Sequence, residues 1–136
     1  MPRSAKTPRI LVAEDDAMVR EAVSMRLSTA GYDVHTARSG KEALERILSL
    51  KPDALVLDIN MPGLDGFEVL EALKTGMPDQ APPTLVLTSR QTGEDVRRAL
   101  TLGARDYLIK ASLGDQLLPR VARLLKPPRP GAEQAA

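Results

Sequence analysis

Apolar residues along the chain form two alternating patterns. Apolar runs of strand length recur at five places, residues 10–13, 34–37, 54–57, 84–87 and 107–109. Between them lie longer segments in which apolar residues return every three or four positions, which is typical of amphipathic helices. The runs lack the polar alternation of half-exposed strands, which indicates strands buried on both faces. The pattern therefore predicts five strands alternating with five helices.

Capping signals mark where the predicted helices begin. Ser39 and Glu42 are spaced as in a capping box before the second helix, and Asp65 and Glu68 repeat that spacing before the third. Thr92 can cap the fourth helix through its hydroxyl oxygen. These positions predict short connections between the elements.

The fifth helical pattern, from about Ser112 to Lys126, contains Pro119. Proline in a helix interior removes one backbone hydrogen bond and clashes with the preceding turn, at a cost of about 3 kcal/mol. We therefore expect helix five either to kink at Pro119 or to start late.

Strands that alternate with helices are joined by right-handed crossovers into a parallel sheet with helices on both faces. We predict the α/β class: a doubly wound five-stranded parallel sheet with five helices. This domain should span residues 8–126, after a flexible N-terminal segment at residues 1–7. Residues 127–136 contain three prolines and no apolar face, which predicts a disordered tail or linker end.

Composition fits this picture and excludes several classes. A chain of 136 residues with 43% hydrophobic residues can bury the core of one domain. Because there is no cysteine, disulfide scaffolds and thiolate metal sites are excluded. No apolar run approaches the roughly eighteen residues of a membrane span, and no signal-peptide core follows the N-terminus. We expect a cytoplasmic protein that does not contact the membrane.

Charge is distributed unevenly, although the net charge is only +1. Residues 1–89 hold ten basic and thirteen acidic side chains, whereas residues 90–136 hold nine and five. The excess of basic side chains in residues 90–136 could bind an anionic ligand or partner, but a solvated helix face is the simpler interpretation. The arginines concerned include Arg90, Arg97, Arg98 and Arg105.

Polar side chains stand where four of the predicted strands end, and the carboxyl ends of parallel strands are where doubly wound sheets bind ligands. Acids follow strand one and close strand three, and a hydroxyl and an ammonium close strands four and five: Glu14, Asp15, Asp16, Asp58, Thr88 and Lys110. Crowded carboxylates repel one another unless a cation neutralises them, and oxygen ligands favour Mg²⁺. We interpret Asp16 as the cap of the next helix.

Four of these segments also carry a family resemblance. Residues 10–16, 57–66, 87–89 and 106–110 read ILVAEDD, LDINMPGLDG, LTS and DYLIK. They resemble the receiver domains of two-component response regulators, over roughly residues 8–126. The resemblance implies a flavodoxin-like sheet with strand order 2-1-3-4-5, similar to single-domain chemotaxis regulators. With no output domain expected after it, we expect no direct DNA binding.

The resemblance implies a phosphoacceptor rather than a turnover enzyme. Asp58 would attack the phosphorus of a phosphohistidine on a sensor histidine kinase or phosphotransfer protein. Mg²⁺ would be bound by Asp15, Asp58 and the backbone carbonyl of Asn60, with Glu14 acting through a water molecule. The cognate kinase and the downstream target protein are not specified by the sequence.

Three further residues have roles implied by the resemblance. Lys110 would pair with Asp58 and then with a phosphoryl oxygen, and the Thr88 hydroxyl would bind another oxygen of the same group. Tyr107 would move as Thr88 is drawn inward. The surface of helix four, strand five and helix five would then change and control a partner.

The chain departs from the family after Lys110, where Ala111 stands in place of the usual proline. A cis bond to a residue other than proline costs about 3 to 4 kcal/mol. We expect either a trans bond with a rerouted loop or a cis bond held by its neighbours.

Other functions fit the residues less well. Phosphatases with an aspartyl nucleophile need an acid two residues later, where this chain has Asn60. A calcium loop starting at Asp58 fails at Pro62 and Val69, and no glycine-rich nucleotide-binding motif is present. The alternative that stays open is a receiver-like interaction module, regulated by an anionic ligand or partner instead of by phosphorylation.

Overall fold

The computed structural model describes residues 7–89 and 92–126, in which five strands alternate with five α-helices. The strands are β1 (Arg9–Ala13), β2 (Asp33–Ala37), β3 (Ala54–Asp58), β4 (Thr84–Thr88) and β5 (Asp106–Ile109). The helices are α1 (Ala17–Thr29), α2 (Gly40–Leu50), α3 (Gly66–Gly76), α4 (Gly93–Thr101) and α5 (Leu113–Leu125). The predicted tail and most of the predicted N-terminal segment lie outside the described residues, as does Arg90.

All strand pairs are parallel, and the strand order is β2-β1-β3-β4-β5. The predicted fold class and strand order are confirmed. The register places Ala13 beside Leu57, and Asp58 beside Leu87. The last residues of β1, β3 and β4 therefore meet at one side of the sheet, which we call the carboxyl edge. The opposite side, where the strands begin, is the amino edge.

Side chains alternate along each strand between two apolar layers. Leu11 and Leu57 point into a layer covered by α2, α3 and α4, and Tyr107 packs against that layer. Val12 and Val56 point into a second layer, between the sheet and helices α1 and α5. Each fully buried aliphatic side chain contributes about 1.5 to 3 kcal/mol. Burial on both faces explains why the strands read as continuous apolar runs.

The predicted caps are present, with one difference in detail. Asp65 and Glu68 form a complete capping box, in which each side chain accepts from the other residue's backbone N–H. Ser39 Oγ accepts from the backbone N–H of Glu42, but the Glu42 carboxylate accepts from Arg38 instead of from Ser39. The helix still starts at the predicted place, because the Ser39 hydroxyl satisfies an N–H group of the first turn.

Helix α5 begins before Pro119 and continues past it. The expectation of a late start is therefore wrong, whereas the kink stays a prediction. Pro119 is exposed, so its ring does not disturb the buried face formed by Leu117, Val121 and Leu124. In the described part of the chain, no helix is both long enough and apolar enough to cross a lipid bilayer.

Candidate functional site

Three acidic side chains meet at the carboxyl edge. Asp58 ends β3, while Glu14 and Asp15 follow β1, which is the neighbouring strand. Each offers a carboxylate oxygen within 4.8 Å of those of the other two. Glu14 and Asp58 have no exposed surface, whereas Asp15 is exposed. The sequence predicted this grouping, which places two carboxyl groups in the protein interior and a third at its opening.

Lys110 supplies the only positive charge that contacts the carboxylates of these acids among the described residues. Its Nζ lies 2.9 Å from Glu14 Oε1 and 3.3 Å from Asp58 Oδ1. Burial alone would lower the pKa of Lys110, but the two carboxylates outweigh burial and raise this pKa above its ordinary value. The ammonium group is therefore charged at neutral pH and partly balances the acids.

Lys110 reaches the site without a cis peptide bond. No cis peptide bond occurs in the described residues, and Lys110–Ser112 forms a single 3₁₀ turn before α5. Of the two conformations expected for the bond to Ala111, the trans form is the one present. With this trans bond, the side chain of Lys110 contacts Asp58.

The two oxygens of Asp58 have different surroundings. Oδ1 accepts a hydrogen bond from the backbone N–H of Asn60 at 3.1 Å and contacts Lys110. Oδ2 is buried and accepts no hydrogen bond. Burial and the neighbouring Glu14 raise the pKa of Asp58 to about 7, against the opposing effects of Asn60 and Lys110. A buried oxygen without a partner is costly, which indicates that a ligand completes the site.

A divalent hard cation fits this donor set. When ionised, the three carboxylates exceed the charge of Lys110 by two, which one divalent ion balances. Asp58 Oδ2 lacks a partner, and Asp58 belongs to the carboxylate cluster. All donors are oxygens and the described chain places no imidazole in the cluster, which favours Mg²⁺ over transition metals.

Arg20 and Asp16 support the loop that carries the acids. The sequence predicted Asp16 as a helix cap but did not single out Arg20. Arg20 donates from Nη1 to the backbone oxygens of Glu14 at 2.9 Å and Asp15 at 3.2 Å. Asp16 accepts from the N–H groups that open α1, as predicted, and thereby orients this helix. Arg20 lies four residues after Asp16, one helical turn further along α1. This spacing places it beside the loop of Glu14 and Asp15 because α1 begins directly after Asp16, which the sequence alone did not establish.

Gly66 closes the loop that follows Asp58. A Cβ at this position would lie 2.5 Å from the backbone oxygen of Asp58 and 2.7 Å from Cα of Ile59. The N–H of Gly66 donates to the backbone oxygen of Ile59 at 2.9 Å. The loop after Asp58 therefore bends close to this residue, and Gly63 turns within it at a φ of 77°.

Thr88 and Tyr107 lie on the far side of Asp58 from β1. Thr88 ends β4 and is 4% exposed. Tyr107 is half-buried on β5, next to β4. The structure brings Thr88 to the same edge as Asp58, while the proposed movement of both side chains stays a prediction.

The late arginines do not all lie on one surface. The guanidinium of Arg98 lies 4.1 Å from the centre of the Phe67 ring, so it joins α4 to α3. Arg105 instead lies in the turn before β5, at the amino edge. The two arginines therefore belong to different surfaces.

Comparison with known proteins agrees with this geometry. The model of the family described as "Response regulator receiver domain" matches residues 10–122. The response regulator MprA of Mycobacterium tuberculosis (strain H37Ra) is 47% identical over 122 residues, covering 90% of this chain and 52% of that protein. The MprA protein of Mycobacterium avium (strain 104) is 46% identical, with 90% and 53% covered. The chain thus spans about half the length of these relatives.

Solved structures agree as well. Chemotaxis protein CheY4 of Vibrio cholerae superimposes with a TM-score of 0.81 at 32% identity, covering 88% of this chain and 99% of that one. The BeF3-activated receiver domain of RstA from Klebsiella pneumoniae gives a TM-score of 0.80 at 31% identity, covering 88% and 99%. By its matched residues, fold and acidic cluster, the chain belongs to the response regulator receiver domain family.

Proposed function

We propose that this receiver domain accepts a phosphoryl group on Asp58 from a phosphohistidine of a sensor histidine kinase or phosphotransfer protein. An oxygen of the Asp58 carboxylate would attack phosphorus, the phosphorus–nitrogen bond would break, and the histidine would leave with its electron pair. The observation that carries the proposal is the buried Asp58 carboxylate, with Lys110 on one oxygen and no partner on the other. A cytoplasmic location is part of this proposal.

Mg²⁺ belongs to the same proposal. Asp15, Asp58 and the backbone carbonyl of Asn60 would hold the ion directly, and Glu14 would act through a water molecule. When bound, the ion neutralises negative charge on the phosphoryl oxygens. Glu14 also keeps Lys110 in place through its 2.9 Å contact, which is independent of any ion.

Lys110 and Thr88 would stabilise the transferred group. The ammonium group of Lys110 already contacts Asp58 and would shift to a phosphoryl oxygen. Thr88 lies on the strand next to β3 and would donate its hydroxyl to another oxygen. Tyr107 would follow Thr88, and the surface of α4, β5 and α5 would change for a downstream partner.

Incubation with Mg²⁺ and acetyl phosphate, followed by intact-mass measurement, tests the proposal. We expect the mass to increase by one phosphoryl group, and neither the Asp58→Ala variant nor a sample in excess EDTA should show the increase. Hydroxylamine should remove the group, because an acyl phosphate is labile to it. Asp65→Ala, which removes a capping carboxylate outside the acidic cluster, is the matched control and should still gain the group.

The proposal is wrong if the native chain gains no phosphoryl group from acetyl phosphate or phosphoramidate. A gain that persists in Asp58→Ala would place the modification at another residue. Uptake in excess EDTA would separate the phosphoacceptor role of Asp58 from the proposed metal.

A further inference from the structure

The amino edge of the sheet carries a groove that the proposed function does not use. Three hollows of about 380, 370 and 240 Å³ follow one another along this edge. The first and second share Pro82, and the second and third share Arg105. We call these three adjoining hollows together the amino-edge groove, defined by Lys51, Lys74, Pro82, Arg105, Arg120 and Arg123.

The charged side chains that line the groove are nearly all basic. Its lining contains five basic side chains and one acid, Asp106, in a chain with 19 basic and 18 acidic residues. That one acid is already bound, because Arg120 Nη1 lies 2.8 Å from Asp106 Oδ1. The groove therefore presents a positive potential, which is the opposite of the carboxyl edge.

The floor of the groove is apolar and its walls are rigid. Leu70 and Leu73 of α3 are 3% and 4% exposed and lie beneath the central hollow. Pro78, Pro82 and Pro83 also line this hollow. Proline has a fixed φ and no N–H group, so these three residues add little flexibility and no backbone donors. Such a hollow suits an apolar side chain rather than a hydrated ion.

Two of the cations are held at the rim of the central hollow. Lys74 Nζ donates to the backbone oxygen of Thr101 at 3.0 Å, which fixes the ammonium group beside the hollow. The backbone N–H of Arg105 donates to the oxygen of Thr84 at 2.9 Å, which fixes the base of its side chain. A segment that enters the central hollow therefore meets both of these basic residues.

We propose that the amino-edge groove binds an acidic protein segment, in which apolar side chains enter the hollows and flanking carboxylates meet the cations. Charge complementarity and the apolar floor together select this ligand. A flat lipid surface cannot enter a concave groove. A single-stranded nucleic acid would find no aromatic side chains in the groove on which its bases could stack. None of the residues that line the three hollows is aromatic.

The test uses a fluorescein-labelled heptapeptide in which four glutamates alternate with three leucines. We expect saturable binding in fluorescence anisotropy, weakened by added salt because the charges lie at the surface. Lys74→Glu combined with Arg105→Glu should weaken binding at least about tenfold. A peptide with serine in place of leucine should bind at least about fivefold more weakly, since it cannot fill the hollows.

The matched control carries the same change of charge outside the groove. Lys41 and Arg97 are exposed and line none of the three hollows, so Lys41→Glu with Arg97→Glu should change affinity by less than about twofold. If the groove variant does not fold, Lys74→Gln with Arg105→Gln replaces it, with an expected loss of about threefold. Circular dichroism melting of every variant checks the fold.

Two outcomes would overturn the proposal. In the first, the groove variant binds the peptide as tightly as the native chain. The basic side chains of the groove would then serve only to neutralise helix C-termini. In the second, phosphatidylglycerol vesicles or a single-stranded oligonucleotide bind in a groove-dependent way and the peptide does not. Asp58→Ala should bind the peptide like the native chain, so failure here is distinguishable from failure of phosphoryl transfer.

Discussion

The two ends of β1 carry charged residues in opposite arrangements. At the amino edge, Arg9 Nε lies 3.2 Å from Asp33 Oδ2, its Nη1 donates to Leu50 O at 2.7 Å, and its backbone N–H donates to Asp53 Oδ2 at 2.7 Å. At the carboxyl edge, Glu14 joins two other carboxylates with one lysine between them.

The difference separates two uses of charge. Around Arg9 each charged group has a partner and remains partly exposed, so little desolvation is left uncompensated. Around Glu14 two of the three acids are buried and the carboxylates outnumber the lysine, which should lower the stability of the ion-free protein. A site that binds a cation and a phosphoryl group must leave some of its own interactions incomplete. The following predictions test this contrast, from the largest expected effect to the smallest.

Gly66→Ala should destabilise the fold most. Its Cβ would lie 2.5 Å from the backbone oxygen of Asp58, so either α3 or the end of β3 must shift. We expect a loss of about 3 kcal/mol in the free energy of unfolding, measured by urea denaturation. Gly76→Ala is the control, because a Cβ there meets nothing within 4 Å. Equal effects of both substitutions would show that the carboxyl edge can relax.

Asp58→Asn should stabilise the ion-free protein. Burial and Glu14 raise the pKa of Asp58 to about 7, so protonated Asp58 favours the folded state. That contribution is complete below the ordinary pKa of an aspartate and is lost as the pH rises through about 7. The gain from Asp58→Asn should therefore grow from pH 5 to pH 8 and reach about 2 kcal/mol.

Added Mg²⁺ should make the native chain more stable than the Asp58→Asn variant. The ion would bind the folded native chain and stabilise it by mass action, whereas Asp58→Asn would lack one anionic ligand and gain less. Thermal melting of both proteins in EDTA and in excess Mg²⁺ measures the reversal. A native chain that is more stable than Asp58→Asn in EDTA at pH 8 would contradict the contrast between the two ends of β1.

Arg9→Ala should destabilise the protein, in contrast to Asp58→Asn. We expect a loss of about 1.5 kcal/mol in the free energy of unfolding at neutral pH. Burial raises the pKa of Asp33, but Arg9 and His35 outweigh it and hold this pKa below its ordinary value. The pair's contribution is thus present at neutral pH and lost as the pH falls through the lowered pKa. Urea denaturation at pH 7 and pH 3 measures both effects.

Arg46→Ala is the comparison for Arg9→Ala. Arg46 makes an exposed contact with Glu42 at 3.8 Å, so its loss should cost less than about 0.5 kcal/mol. If both substitutions cost the same at pH 7, the bonds made by Arg9 contribute no more than a surface pair.

Arg20→Ala should lower the free energy of unfolding by about 1 kcal/mol and weaken the affinity for Mg²⁺ several-fold. The guanidinium holds the backbone oxygens of Glu14 and Asp15, so its removal frees the loop that positions two of the acids. Isothermal titration with Mg²⁺ measures the affinity. Arg26→Ala, on the same helix but bonded to Gly114, should leave it unchanged.

The sequence was most informative where burial dominates. Each predicted strand core is a strand, because apolar runs of that length can be satisfied only inside a parallel sheet. The strand boundaries were less predictable: β1, β2 and β5 each begin one residue earlier, at Arg9, Asp33 and Asp106. These first residues are charged, and their pairing depends on neighbours that are distant in sequence, such as Asp53 for Arg9.

The acidic cluster was predictable because parallel strands align their carboxyl ends. The supporting contacts were not, since Arg20 acts on backbone oxygens and the close approach of Gly66 depends on how α3 packs. The position of Lys110 after a trans bond also depends on the 3₁₀ turn at Lys110–Ser112. No pattern in the sequence predicted that turn.

The two apolar layers have a spectroscopic consequence. The chain contains no tryptophan and two tyrosines: Tyr32 packs against the layer beneath α1 and α5, and Tyr107 against the layer beneath α2, α3 and α4. Intrinsic ultraviolet emission therefore originates from one fluorophore on each face of the sheet. Replacing Tyr32 with phenylalanine would leave a label-free optical probe on β5 alone, and Tyr107→Phe would leave one beside α1.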